Sequence, residues 1–287
     1  MKVFEEFNLK EYNSYRLNST CKRAFFPENE QDFIDIFKNQ STSEKIVLGG
    51  GYNVILAEEY YDKDFILIGD TFSKVMLGDE IVIEAEAGAN TKTVSIFAQN
   101  NGLTGFEIFY DIPSSIGGAV VMNAGASGEE IKDIITKVRY LDLLDLNIKE
   151  ISAEDIGFTY RNSFFQKNKD KLVLKAWFKL QNGNPAQIKD KMESIKAARW
   201  AKQPKDYPNA GSVFKRPEGF YVGAMMDELN LKGLTFGGAM VSKKHAGFII
   251  NQDNATGKDI LNLINDIKKR VKDHFNVDLE VEQRIIV

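Results

Sequence analysis

The stretch KIVLGGGYNVIL, residues 45–56, constrains this chain most, because an apolar run leads straight into three consecutive glycines and out into a second apolar run. A dinucleotide site of the Rossmann type needs a strand, then G-x-G-x-x-G, then a helix. Here the glycine spacing differs, and NVILAEEYYDKDFILIG reads as strand, polar turn and strand. The Rossmann reading is excluded. Two readings of residues 48–56 stay open. Glycine supplies positive φ at no steric cost, which makes a tight turn; or successive backbone N–H groups form a nest for phosphate oxygens, with Asn53 adding an amide.

A second glycine-rich stretch, IPSSIGGAVVMNAGASGEEI (112–131), favours the nest. Ser114 and Ser115 offer hydroxyls, Gly117 and Gly118 let a ligand approach the backbone, and Asn123 is suited to a ring edge. Read as two loops, each following a strand, the pair suits the two ends of a pyrophosphate-containing cofactor.

The remaining elements follow from periodicity. ENEQDFIDIFKN spaces Phe33, Ile36 and Phe37 as a helix, and EIVIEAEAGAN alternates as a strand. TKTVSIFAQNNGL is a helix stopped by Gly102 at the position past its C-cap. Strand patterns flank FTYRNSFF, and near residue 183 a polar turn leads into a helix with Ile188, Met192 and Ile195 on one face. A domain boundary is expected there. Beyond it come a loop (203–219), a helix in YVGAMMDELNL, a strand in HAGFIIN and a long helix opened by Thr256 and Asp259 as a capping box. VDLEVEQRIIV reads as a closing strand alternating from Val277 to Ile285. The class is α+β, with mixed sheets in at least two domains.

Composition narrows the function. With 43% hydrophobic and 27% charged residues over 287, the chain has material for a substantial core and is not disordered. A net charge of −4 gives no support to nucleic-acid binding. No window holds enough apolar residues for a membrane span, and the N-terminus lacks the apolar stretch of a signal peptide. The single cysteine, Cys21, fits a reducing compartment, so a soluble cytoplasmic protein is expected. One cysteine and two histidines argue against a His/Cys metal site. Of the histidines, His274 reads as a solvated helix end and His245 as a strand-edge or loop residue.

NAGSVFKRP, residues 209–217, sets Ser212 beside Gly211 with Lys215 and Arg216 just behind. Locally, Ser212 is either a turn residue or a hydroxyl aimed at an anion that the two cations hold.

The order LGGGYNVIL, IPSSIGGAVVMNAGA, FTYRNSFF, NAGSVFKRP, VSKKHAGFIINQDNATGKDI and LEVEQRII resembles the UDP-N-acetylenolpyruvoylglucosamine reductase family, over nearly the whole chain. The length is similar to that of the shorter class, without an extra substrate-capping loop. The resemblance implies an FAD-binding domain of the p-cresol methylhydroxylase/vanillyl-alcohol oxidase (PCMH/VAO) type over 1–183, in lobes of about 1–70 and 71–183. It further implies an α+β substrate-binding domain over 184–287, whose last strand returns to the active site. The activity implied is NADPH-dependent reduction of the enolpyruvyl ether of UDP-N-acetylglucosamine to UDP-N-acetylmuramate, a step of peptidoglycan synthesis.

Carried over by motif, the resemblance makes Arg161, Ser212 and Glu282 catalytic. Leu48, Gly49, Gly50, Gly51, Tyr52 and Asn53, with Ser114, Ser115, Gly117, Gly118, Ala119 and Asn123, become the FAD contacts. Tyr160, Lys215 and Arg216 become substrate contacts. Charge developing on an enolate needs a fixed cation and aimed donors. Arg161 fits the carboxylate, a protonated Glu282 donates further, and Ser212 supplies the proton to carbon. The bland alternatives are Arg161 paired with a loop carboxylate, Glu280 and Glu282 merely solvated on one strand face, and Lys215 an exposed lysine. Covalent flavin attachment in this fold uses His or Cys, and neither lies in the glycine stretches, so noncovalent FAD is expected. This chain departs from the family pattern at NSYRLNST, at Tyr52 for serine, at Ser114 for glycine and at Arg216 for asparagine. A flavin oxidase of another substrate and a non-catalytic sugar-nucleotide sensor are the competing readings. Oligomeric state is not encoded in any of these motifs.

Overall fold

Strands rich in β-branched and aromatic residues, with side chains alternating between two faces, build the largest sheet. The computed structural model describes residues 1–39, 43–79 and 81–287; Glu80, at the head of an expected strand, lies outside them. The chain divides into two compact units, Met1–Phe4, Ala24–Gly50 and Phe65–Ala198 in the first, Glu5–Arg23, Gly51–Asp64 and Arg199–Val287 in the second. The composition change near residue 183 marks the start of a helix at Pro185, whereas the change of unit comes inside that helix, after Ala198.

In the first unit, five antiparallel strands lie in the order Asn147–Ser152, Ile135–Asp142, Lys171–Lys179, Val82–Glu86, Val75–Leu77. Val138 faces Ala176, Ala176 faces Ala85 and Phe178 faces Ile83, all fully buried. Their inward face shares one core with α1 (Glu30–Lys38), α2 (Thr91–Asn100) and α3 (Ile116–Met122). α1 is capped by Asn29 and buries Phe33 and Ile36, with Phe33 edge-on to Phe72 at 5.0 Å. α2 is closed by its C-cap Asn101, and Gly102 follows at φ 66°, as the sequence anticipates. A one-turn helix, α4 (Phe164–Lys167), follows its cap Ser163. α5 (Pro185–Lys202) buries Ile188 and Met192.

The second glycine stretch is not a loop. Residues 116–122 form α3, preceded by a 3-10 turn (Glu107–Asp111) rather than a strand. Two glycines in a helix cost about 1 kcal/mol each relative to alanine, but packing overrides this. Gly117 donates to the Ala87 carbonyl at 2.8 Å, and a Cβ there would sit 3.1 Å from the Ala87 Cβ.

In the second unit, α6 (Val222–Glu228) precedes an antiparallel sheet of Thr235–Phe236, Ala239–Val241 and Ile249–Asn251. α7 (Gly257–Phe275) carries the expected capping box, Thr256 with Asp259, and buries Ile260, Ile264, Ile267 and Val271. The closing strand is shorter than its pattern implies. Only Arg284–Ile286 pairs, in parallel, with Val54–Leu56. Residues 277–283 instead bond to the Ser212 segment, through Lys215 N to Glu280 O and Glu282 N to Val213 O. Burial there falls on Leu279 and Gln283, four apart and so on one face, which keeps the alternation, and Val281 bridges Phe214 in antiparallel fashion.

The first residue of α7 presses on the Val54–Leu56 strand, and a Cβ at Gly257 would lie 2.0 Å from the Leu56 carbonyl oxygen. Helix propensity alone favours Gly257→Ala, by at most about 1 kcal/mol at this first helical position. Overpacking typically costs about 1–3 kcal/mol. We therefore expect Gly257→Ala to lower the urea midpoint of unfolding; a raised midpoint would show that propensity, not contact, governs this position.

Candidate active site

The glycine segment 48–50 and the start of α3 meet through one hydroxyl. Ser115 caps α3 by accepting from Gly118 N at 3.2 Å, and the same oxygen accepts from Gly50 N at 3.4 Å. A Cβ at Gly49 would fall 2.5 Å from that oxygen, and one at Gly118 3.2 Å from it. Glycine is required for this approach. Leu48 is buried and accepts from Ile68 N, and Ala119 is buried in α3, so both pack the cradle from beneath. The Ser114 carbonyl accepts from Thr91 N at 2.9 Å, which pins the entry to α3.

Asn123 departs from its expected part. It is fully buried at the left-handed C-cap of α3, donating to Thr159 O at 3.1 Å and Glu130 Oε2 at 2.9 Å while accepting from Lys132 N. With donors and acceptor so committed, it braces a turn rather than meeting a ring edge. That turn carries Arg161. Thr159 and Asn162 exchange backbone bonds of 3.0 and 3.1 Å, leaving Tyr160 and Arg161 at the tip, with Arg161 at φ 53°. Arg161 Nη2 donates to Gly125 O at 3.1 Å, and its guanidinium lies 5.1 Å from the centroid of the half-exposed Tyr160 ring. Ser163 ties the turn to α3 by donating to Val121 O at 2.7 Å.

In the second unit, Gly51 takes φ 65°, and a Cβ there would strike the Tyr12 carbonyl at 2.0 Å. Tyr52 is half-buried. Asn53 spends its side-chain amide on Glu282 O at 3.2 Å, and its own carbonyl accepts from Arg284 N, so it anchors the Glu282 segment. Ser212 is exposed and pairs with Phe248, while its neighbour Val213 donates to Gly247 O and accepts from Glu282 N at 2.8 Å. Ser212 and Glu282 thus lie on adjacent, bonded segments, and Glu282 is half-buried where Glu280 is exposed. Lys215 is not a lone exposed lysine: its ammonium pairs with Glu280 at 2.5 Å. The Arg216 guanidinium stacks 3.8 Å from the Tyr221 ring centroid.

Sequence reasoning missed the groups beneath Ser212. Gln283 is buried with its amide against the carbonyls of residues 210–212, and its oxygen accepts from the buried Tyr15 hydroxyl. A glutamine in an apolar-looking strand carries no local signal of this. Among the described residues no His/Cys/Asp/Glu group is arranged to hold a metal, and no helix is long and apolar enough to cross a membrane.

With this geometry in view, comparison with known proteins decides the family. Residues 22–146 match the FAD binding domain, and residues 203–286 match the UDP-N-acetylenolpyruvoylglucosamine reductase C-terminal domain. The chain is 40% identical to the reductase of that name from Francisella tularensis subsp. tularensis, covering 98% of this chain and 99% of that one. The chain belongs to the UDP-N-acetylenolpyruvoylglucosamine reductase family. It is 39% identical to the reductase of Caldanaerobacter subterraneus, across 99% of this chain and 94% of that one. The crystal structure of the reductase from Thermus caldophilus superposes with a TM-score of 0.82 at 28% identity, covering 100% of this chain and 98% of that one. The fold is α+β, an FAD-binding domain joined to this reductase family's C-terminal domain. Both glycine stretches fall in the first match and Ser212, Lys215, Arg216 and Glu282 in the second, while Tyr160 and Arg161 lie between the two.

His245 supports the Ser212 segment from the other side. Its Nδ1 accepts from Gly247 N at 3.1 Å and its ring packs on Phe248, the residue paired with Ser212. Burial, the largest cause, holds its pKa below the ordinary 6.5, and the Lys232 charge lowers it further. A depressed histidine contributes stability that is present above pH 6.5 and lost as pH falls through its folded value. We expect the thermal midpoint to drop on acidification below pH 6.5 and to drop less in His245→Gln; equal drops would place the acid sensitivity elsewhere.

Proposed function

We propose that the chain reduces the enolpyruvyl ether of UDP-N-acetylglucosamine to UDP-N-acetylmuramate for peptidoglycan synthesis, with NADPH as donor, and does so in the cytoplasm. Residues 1–183 form its FAD-binding part, in two lobes, and residues 184–287 the part that takes the UDP-sugar. The observation that carries the reading is Ser212, an exposed hydroxyl on a segment bonded to that of Glu282.

FAD fits the cradle at Gly49, Gly50, Ser114, Ser115, Gly117 and Gly118, where any Cβ at Gly49 or Gly118 would crowd Ser115. The flavin is held noncovalently, since the histidines are at 245 and 274 and Cys21 is buried. Bound FAD supplies hydride chemistry, replenished by NADPH. Arg161 clamps the substrate carboxylate with its planar fork. As charge gathers on the carboxylate side, Arg161 and a donating Glu282 stabilise it. The Ser212 Oγ–H bond breaks, its proton goes to the carbon next to the carboxylate, and exposed Ser212 regains a proton from water. Lys215 turns from Glu280 to the diphosphate, and Arg216 adds a second cation.

The two half-reactions separate these roles. Ser212→Ala is expected to leave flavin reduction by NADPH near the wild-type rate, and to slow reoxidation by the enolpyruvyl substrate by about 10²–10⁴-fold, the usual worth of a general acid. Rapid-mixing absorbance reads each half; equal slowing of both would make Ser212 a shaping residue, and no slowing a turn residue. Arg161→Lys keeps charge but loses the fork, and is expected to impair the second half. Wild-type turnover by that variant would remove Arg161 from the site.

A further inference from the structure

We infer that Gln283, held in place by Tyr15, is the positioning residue that fixes Ser212 for proton transfer. The inference rests on the reading of Ser212 as proton donor. Gly211 takes φ 79°, and a Cβ there would meet nothing within 4 Å, so glycine serves the conformation and not the space. That conformation turns three successive carbonyls toward one donor. Gln283 Nε2 lies 3.1 Å from Ala210 O, 3.3 Å from Gly211 O and 3.4 Å from Ser212 O. A glutamine amide is flippable, and what sets this one is the three carbonyls, with Tyr15 holding its oxygen end. Carbonyls only accept, so the nitrogen must face the loop, and this leaves Oε1 toward Tyr15, whose phenol donates to it at 3.0 Å. Tyr15 is fully buried and Gln283 is 3% exposed. Burial also pushes the phenol pKa well above its ordinary value, so it stays a donor.

The relay is braced in turn. Asn251 donates to Tyr15 O at 2.8 Å, accepts from Ala255 N, and gives its own N–H to Pro208 O. The loop from 208 to 212 is therefore held at both ends by groups that hold each other. Two apolar side chains of similar volume would remove the phenol–amide bond without stranding either of its partners, and would cost the bonds from the amide to the carbonyls of residues 210–212. Packing alone does not demand Tyr15 with Gln283. What the pair adds is a fixed direction for the backbone that carries Ser212, directly beside the segment of Glu282. A misplacement of about 1 Å in a reacting group costs on the order of 10²-fold.

Holoenzymes of Tyr15→Phe, Gln283→Leu and the double variant test this, through both half-reactions and the thermal midpoint. Gln283→Leu is expected to slow reoxidation by the enolpyruvyl substrate by about 10²-fold, with flavin reduction by NADPH unchanged. Tyr15→Phe is expected to slow the same half by less. The double variant removes the hydroxyl that Gln283→Leu alone leaves stranded, though it still lacks the amide's bonds to the carbonyls of residues 210–212, and is expected to regain thermal stability over Gln283→Leu while its second half stays slow. Recovered stability with recovered rate, or equal slowing of both halves, would make the pair structural and overturn the inference. If Gln283→Leu does not fold, Tyr15→Phe decides, because it removes one oxygen only; a wild-type second half there overturns it. Ser212→Ala run alongside separates the two failures. A fast second half in Ser212→Ala sinks the proton-donor reading, and a slow one beside a wild-type Gln283→Leu sinks this inference alone.

Discussion

A buried amide or hydroxyl without a partner costs about 1–3 kcal/mol, and in this chain that penalty shapes the candidate site. Beneath each loop that bears a candidate residue lies a buried polar side chain with its bonds filled. Asn123 holds the Thr159 carbonyl under Arg161, Ser115 gathers Gly50 and Gly118, and Gln283 gathers the carbonyls leading to Ser212. The side chains proposed to meet the substrate, Arg161 and Ser212, are thus separate from Asn123 and Gln283, which brace the turns that carry them. Removing an aiming group leaves an unpaid polar atom as well as a loosened loop, so its effects spread to stability and to catalysis together.

The glycines answer a second constraint, which is space. At Gly49, Gly51 and Gly257 an added carbon would meet oxygen at 2.0–2.5 Å. At Gly211 it would meet nothing, and positive φ is the reason for glycine. The same residue type therefore serves close approach in the cradle and backbone direction at Ser212, and a substitution at each would fail differently.

Much of the fold was legible because it is written locally. The Thr256–Asp259 box, the buried stripe of α7 and the Gly102 stop each need only neighbours within a few turns. The family resemblance likewise rested on contiguous motifs. What could not be read depended on partners far along the chain. Residues 112–131 read as a loop, since two adjacent glycines argue against a helix until Ala87 is seen against Gly117. The alternation in VDLEVEQ holds, with Leu279 and Gln283 on the buried face, but its partner is the Ser212 segment, which no local pattern announces. Asn53 and Asn123 looked like ligand groups because a polar side chain beside glycines has no visible competitor in sequence; their acceptors are residues 282 and 159. Gln283 carries no local signal of its role, as its partner Tyr15 lies 268 positions away.

The central claim, that the bound flavin passes reducing equivalents to an enolpyruvyl UDP-sugar, is tested most directly by an anaerobic titration. Holoenzyme bleached by one equivalent of NADPH is titrated with UDP-N-acetylglucosamine enolpyruvate while the flavin absorbance is followed. The account predicts that oxidised flavin returns in proportion to substrate added, complete at one equivalent, with UDP-N-acetylmuramate as product. Flavin that stays bleached in excess substrate and recovers only when oxygen is admitted would contradict it.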